Sequence, residues 1–307
     1  MKVLNLHDHN TVEVFMAKSY ICRKCFHMPE LTPKSLPHYK FGWRGAVVLL
    51  MGAMLPVIIL SLGVFFTETV FGIDVRKNDL YIMLSNAALW IGAIWAFDYF
   101  ECRAVTGRPL KFNLNPLSFR TYILIFPLMF GMMLIAEFLS GMLPVTGPFF
   151  GPMYEAFSKL MEQMTQNTAT LVILAVIMAP VFEEVVFRGI IQKGLINKGM
   201  KPVTAIWISA LVFGVVHANP WQFVGAVLLG YVLGLVYYRT KSLLMPVLLH
   251  AFNNLLSVLL LTNSDTESFS EAFAVSEYLL LAVGIVLFIL FHFLFTKKYT
   301  SSNQLKT

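Results

Sequence analysis

The chain has 307 residues, 57% of them hydrophobic and only 13% charged, with a mean hydropathy of +0.71 and a net charge of +6. An average soluble domain carries about 25% charged residues, so this composition excludes an ordinary soluble fold and points to a chain solvated by lipid. The basic excess is read as membrane topology, not as a nucleic-acid surface, because Lys and Arg concentrate in the loops on one side of a membrane protein.

Residues 1–44 are largely polar and basic, and Leu31-Thr32-Pro33-Lys34-Ser35-Leu36-Pro37 resists continuous helix because proline lacks the amide donor. A cytoplasmic tail is expected there, and the first apolar run starts too late for a secretory signal. Cys22 and Cys25, with His27 and His38 downstream, read either as half of a small zinc knuckle or as two ordinary thiols. With Cys102 they fall on the side where thiols stay reduced, so no disulfide framework is expected.

Eight apolar runs follow, at about 45–66, 80–97, 121–143, 168–187, 203–217, 221–238, 243–262 and 275–295. A helix needs roughly 20 residues to cross a hydrocarbon layer about 30 Å thick, and the fifth and sixth runs are the shortest. Between the third and fourth, Met153 to Asn167 mixes apolar residues with Glu155, Lys159 and Glu162. That pattern suits either a helix lying on the outer surface or an extended start of the fourth span. Gly225, Gly230 and Gly234 give the sixth run a stripe for close helix packing. The fold expected is an all-α polytopic bundle over 45–296, followed by a short polar tail at 297–307. Eight spans put 20 of the 23 Lys and Arg residues on one side, so both termini are expected in the cytoplasm.

An ionisable group inside hydrocarbon costs several kcal/mol, which makes each one a candidate for function. Glu137 and His292 lie near the ends of their runs and are expected at the interface, while Asp98 and Glu101 follow the second run and are expected to be hydrated. Glu183 and Glu184 stand in the middle of the fourth run. At 100° per residue Glu184 and Arg188 (i, i+4) are neighbours while Glu183 points elsewhere, so Glu184 is expected to be neutralised by Arg188, leaving Glu183 for chemistry without an evident basic partner. In the fifth run Phe213 and His217 share a face, the ring walling the imidazole. If the hairpin turns near Gly199, Glu183 and His217 lie 16 and 18 residues from it, within about 3 Å in height on antiparallel helices. The seventh run presents His250 and Asn254, again at i, i+4. His250 lies roughly 10 Å inside the membrane from the basic loop at Arg239 and Lys241. Glu183 reaches that level if the polar hairpin 188–202 protrudes.

Two chemistries fit these residues. A desolvated Glu183 acts as base toward water, with Asn254 donating its amide to the oxyanion. Alternatively Glu183, His217 and His250 hold Zn2+ with an open position for water.

Glu183-Glu184-x-x-x-Arg188, Phe213-x-x-x-His217 and His250-x-x-x-Asn254, in this order over about 165–262, resemble the signature motifs of the CAAX-protease and bacteriocin-processing (Abi) family. The stretch Leu233 to Thr240 resembles that family too. The resemblance implies an eight-helix bundle around a polar cavity and hydrolysis of a peptide bond near a membrane boundary. Glu183 and His217 would activate the water, and His250 and Asn254 would complete the site and steady the oxyanion. The family's usual classing as metal-dependent favours the zinc version. The substrate implied is a peptide or membrane protein, prenylated-like, reached from the cytoplasmic side of a cell (plasma) membrane. A non-catalytic adaptor or immunity-like protein that binds a partner membrane protein is the alternative, and a proton-coupled transporter a more distant one.

Overall fold

The computed structural model describes residues 37–304, apart from 77, 265 and 267 and the side chains of 301–304. The Cys22 and Cys25 pair and His27 lie outside the described residues, and His38 is exposed.

A backbone in hydrocarbon has to satisfy its own amides and carbonyls, and all the described regular structure is helical. In chain order the helices are α1 (Trp43–Phe71), α2 (Asp79–Thr106), α3 (Phe119–Gly141), α4 (Phe150–Thr165), α5 (Thr168–Asn197), α6 (Pro202–Val215), α7 (Pro220–Thr240), α8 (Leu244–Ser264), the single turn α9 (Phe269–Ala272) and α10 (Glu277–Gln304). Among the described residues, α1, α2, α3, α5, α7, α8 and α10 are long and apolar enough to cross a membrane. The fifth run is the exception. It becomes the 14-residue α6, about 21 Å long at 1.5 Å per residue and so shorter than the hydrocarbon layer.

The helix boundaries follow local chemistry. Asn78, Asn167 and Asn219 each accept backbone amides at the start of α2, α5 and α7, and Pro202 and Pro220 sit where a helix has no amide to lose. Gly72, at φ +67°, closes α1 in the left-handed conformation. Of the two readings of Met153 to Asn167, a separate helix is the one observed. α4 ends at Thr165 and the Asn167 cap starts α5 afresh, while the rings of Phe150, Tyr154 and Phe157 gather around Trp221 at the start of α7.

α1 packs along α2, α3 along α10, and α6 along α7, with α7 also resting on α3. The α3–α10 contact brings backbones together at Gly131 and Gly284: a Cβ on Gly131 would sit 2.7 Å from the Phe288 amide nitrogen and 2.9 Å from the Gly284 carbonyl oxygen.

Two expectations are corrected at the end of the bundle that holds the α5–α6 turn. The turn falls at Gly199 (φ +98°), where it was expected, but segment 188–202 is no protruding polar hairpin, since Arg188 to Gln192 are all buried. Aromatic residues enclose it: Phe112 lies against Gly189, and Phe41 against Gly194, whose carbonyl accepts the Phe41 amide at 3.0 Å. The buried Tyr39 hydroxyl donates to the Gly189 carbonyl. Burial pushes the Tyr39 phenol well up from its ordinary value and keeps it a neutral donor. Asp98 and Glu101 are not simply hydrated either. Asp98 is buried, taking Arg103 at 2.7 Å and the Leu110 amide at 2.7 Å, and Glu101 pairs with Arg44 at 2.8 Å. The chain from 107 to 118 supplies the Leu110 amide, while Arg103 comes from α2 itself and Arg44 from α1.

Gly131→Ala is expected to lower stability by about 1–3 kcal/mol, the usual cost of overpacking, because the atoms it meets are backbone. Thermal unfolding in detergent measures it, with Gly63→Ala as the neutral control, where a Cβ meets nothing within 4 Å.

Candidate active site

α5 is widened twice: Val172–Met178 and Val185–Gln192 are π-helical, and the six residues Ala179–Glu184 between them are α-helical. Such widened turns recur at functional sites because they re-aim side chains and leave carbonyls off the regular ladder. Glu183 and Glu184 end the α-helical piece, and Arg188 lies in the second widened stretch.

The expected Glu184–Arg188 pair forms, with Nη1 donating to Oε1 at 2.7 Å and both side chains essentially excluded from solvent. Glu184 does more than neutralise Arg188. The same Oε1 lies 2.9 Å from His250 Nδ1, so one carboxylate joins α5 to α8. A carboxylate only accepts, so Nδ1 carries the proton and His250 Nε2 presents its lone pair. That nitrogen lies 3.8 Å from Glu183 Oε2. Glu183 therefore has a basic neighbour after all, supplied by another helix.

Arg188 is held on three sides. Its guanidinium carbon lies 4.7 Å from the centre of the Phe213 ring, and Nη2 donates to the Gly230 carbonyl at 3.3 Å. Phe213 was expected to wall the site around the His217 imidazole. Its ring meets the edges of both imidazoles, with centroids 4.9 Å from His217 and 5.6 Å from His250, and Phe187 packs against it at 5.0 Å. A guanidinium over an aromatic face, sealed from water, gains from the ring quadrupole.

His217 stands just beyond the end of α6, half-buried, its Nδ1 2.8 Å from the Phe213 carbonyl, which makes Nδ1 the donor and leaves Nε2 free. The turn after it places Ala218 at φ +57°, and the Asn219 side chain donates to the His217 carbonyl at 3.1 Å. Asn254 lies on α8 as expected, but one of its amide hydrogens is committed to the Ala175 carbonyl at 2.7 Å, inside the first widened stretch of α5. Asn253 donates to Asn254 Oδ1 at 2.9 Å and fixes which way that amide points.

Gln192 is a residue that motif reading misses. Fully buried, it donates to the Gly234 carbonyl at 2.9 Å, so Arg188 and Gln192 form two rungs onto Gly230 and Gly234 of α7. The signal was an uncharged polar residue four positions after Arg188 within an apolar stretch. The expected glycine stripe is refined accordingly. Gly230 and Gly234 are true close approaches, whereas a Cβ on Gly225 meets nothing nearer than Ser140 Oγ at 3.8 Å.

For a metal the arrangement is a poor match. Among the described residues no three His, Cys, Asp or Glu side chains converge as a metal-holding group. Glu183 and His250 Nε2 are neighbours, but His217 does not close a three-ligand set with them.

Residues 165–256 match the Rce1-like family. The matching description is type II CAAX prenyl endopeptidase Rce1-like, and the segment spans less than a third of the chain yet contains Glu183, Glu184, Arg188, Phe213, His217, His250 and Asn254. No curated protein and no solved structure matches the chain. The resemblance read from the three motifs is thus shown over this Rce1-like segment. With the apolar helices, it supports a multi-pass membrane endopeptidase of the CAAX type in general.

Arg188→Met is expected to cost about 3–5 kcal/mol, because it strands Glu184 as an uncompensated buried charge. The double variant Glu184→Gln/Arg188→Met should recover part of that loss. Denaturant or thermal unfolding of the detergent-purified proteins measures both.

Proposed function

We propose that the protein is an intramembrane endopeptidase that hydrolyses a peptide bond of a membrane-associated or prenylated-like substrate, with Glu183 as the base that activates water. The observation that carries this reading is the pairing of Glu183 Oε2 with the free Nε2 of His250 at 3.8 Å. Both atoms are acceptors, and their separation suits one water donating a hydrogen to each, its lone pair left for a carbonyl carbon. Glu184 and Arg188 keep the imidazole in the tautomer that makes this possible.

In the forward step the water oxygen bonds to the substrate carbonyl carbon while Glu183 takes its proton, and the carbonyl oxygen gains the negative charge. Asn254 has a second amide hydrogen beyond the one given to Ala175, and we assign it to that oxyanion. When the carbon–nitrogen bond breaks, Glu183 returns the proton to the departing amine. His217 Nε2, with its lone pair outward, accepts from a substrate amide. The geometry favours His250 over His217 as the nearer partner of Glu183, which reverses the roles that the family resemblance implies for the two histidines.

His250 is six residues past the start of α8, about 9 Å along the helix axis. That depth and the basic loops at the same end support a site in the cytoplasmic half of a cell membrane.

Glu183→Gln, purified and folded, is expected to lose at least about 10²-fold in cleavage, the lower range for a positioned base. Comparing membrane-protein fragments in cells carrying wild type or the variant reads this without knowing the substrate. Function that survives Glu183→Gln but fails on removal of residues 1–36 would assign the adaptor role instead. Elemental analysis of active protein is expected to find no stoichiometric zinc. Stoichiometric zinc that is lost in His217→Ala/His250→Ala would restore the metal version.

A further inference from the structure

Where α3 begins and α7 and α10 finish, the bundle has more cations than acids to neutralise them. Ser242 Oγ donates to the Asn115 carbonyl at 2.8 Å, and Lys298 Nζ donates to Thr121 Oγ1 at 2.8 Å, so these three helix ends meet. The nearby acids are already engaged: Asp98 by Arg103 at 2.7 Å and Glu101 by Arg44 at 2.8 Å.

Arg239, in the last turn of α7, is the unusual member. It is partly buried, its Nε is enclosed without a hydrogen-bond partner, and among the described residues no carboxylate pairs with its guanidinium. The groups that face it supply a second cation and an imidazole N–H. Lys241 and His292 both lie within its field. Lys241 Nζ rests over the Tyr238 ring at 4.0 Å, and burial, then Arg239, hold its ammonium below its usual value. On the α3 and α10 side, Lys298 is bonded to hydroxyls, Thr121 Oγ1 and Ser118 Oγ, with Arg120 beside it.

A guanidinium at the edge of hydrocarbon with unmet donors is costly. Its five N–H groups form a rigid fork that matches phosphate oxygens. The anion present at this depth is a lipid headgroup, and basic pockets between membrane helices take such headgroups.

We propose that Arg239, with Lys241 and His292 beside it and Arg120 and Lys298 at the adjoining helix ends, binds the phosphate of an anionic phospholipid. The site is separate from Glu183, and its test does not depend on cleavage.

The full chain, purified in detergent, is incubated with phosphatidylglycerol or phosphatidylcholine, and retained lipid is counted by native mass spectrometry. Phosphatidylglycerol is expected to be retained in preference, and Arg239→Gln to lower its retention about fivefold, the effect of one cation at an anionic surface. Arg239→Lys should restore part of it, and Lys201→Gln, at the start of α6, should change nothing. Equal retention of the two lipids by wild type overturns the proposal and needs no variant to fold. So does unchanged retention in folded Arg239→Gln, or a loss in Lys201→Gln as large as in Arg239→Gln. Full displacement of the lipid by millimolar inorganic phosphate would give the site to the free ion and overturn the lipid assignment.

Discussion

A carboxylate and a guanidinium enclosed in an apolar bundle must be paired with each other, and the Glu184–Arg188 contact at 2.7 Å is the constraint on which the rest of the site depends. Neither side chain has access to solvent, so each neighbour has to contribute either a hydrogen bond or a surface that excludes water. Gly230 gives a carbonyl, Phe213 gives a ring face, and His250 gives a proton donor to the same carboxylate oxygen. Those three residues come from α7, the last turn of α6, and α8. The pair therefore does for the tertiary structure what a hydrophobic core does in a soluble protein, where the solvent itself drives burial. In lipid there is little such drive between helices, and polar contacts and close packing carry more of the specificity.

Departures from regular helix place the chemical groups. The two widened stretches of α5 bracket Glu183 and Glu184, and the carbonyl of Ala175 in the first of them is met by Asn254. α6 stops after 14 residues, so His217 sits at a turn inside the structure and not at the far surface that a full-length span would have reached. The same shortness leaves room for α4, whose rings dock on Trp221 four residues further along. Local irregularity, depth and access are thus linked: shorten one helix and widen another, and two histidines and two glutamates from three chain segments come to share one region.

The end of the bundle that was expected to be wet is instead ordered by aromatic and acidic residues. Tyr39, Phe41 and Phe112 close around Gly189 and Gly194, while Asp98, paired with Arg103 on the same helix, holds the chain after α2 to the helix end through the Leu110 amide. This clasp grips α5 immediately after Arg188 and Gln192, which holds the two rungs to α7 in register. The neighbouring Arg239 cluster lies at the same end, with its cations left facing one another.

Much of the chemistry was legible in the residues alone. Apolar runs of spanning length dictated an all-helical membrane fold, because about 20 consecutive apolar residues match a spanning helix, which satisfies its own backbone, and are too long for the strands of a barrel. The i, i+4 spacings put Glu184 beside Arg188 and Phe213 beside His217, since helical geometry acts over one turn and needs no tertiary partner. What spacing within one helix cannot hold is the relation between helices. That His250 answers Glu184 with one nitrogen and Glu183 with the other, that Asn254 spends a hydrogen on Ala175, that Gln192 is a second rung, and that Asp98 is buried were all decided by packing. So was the fit to a metal: Glu183, His217 and His250 have the right ligand types for zinc, but ligand type is a property of sequence and convergence is a property of the fold.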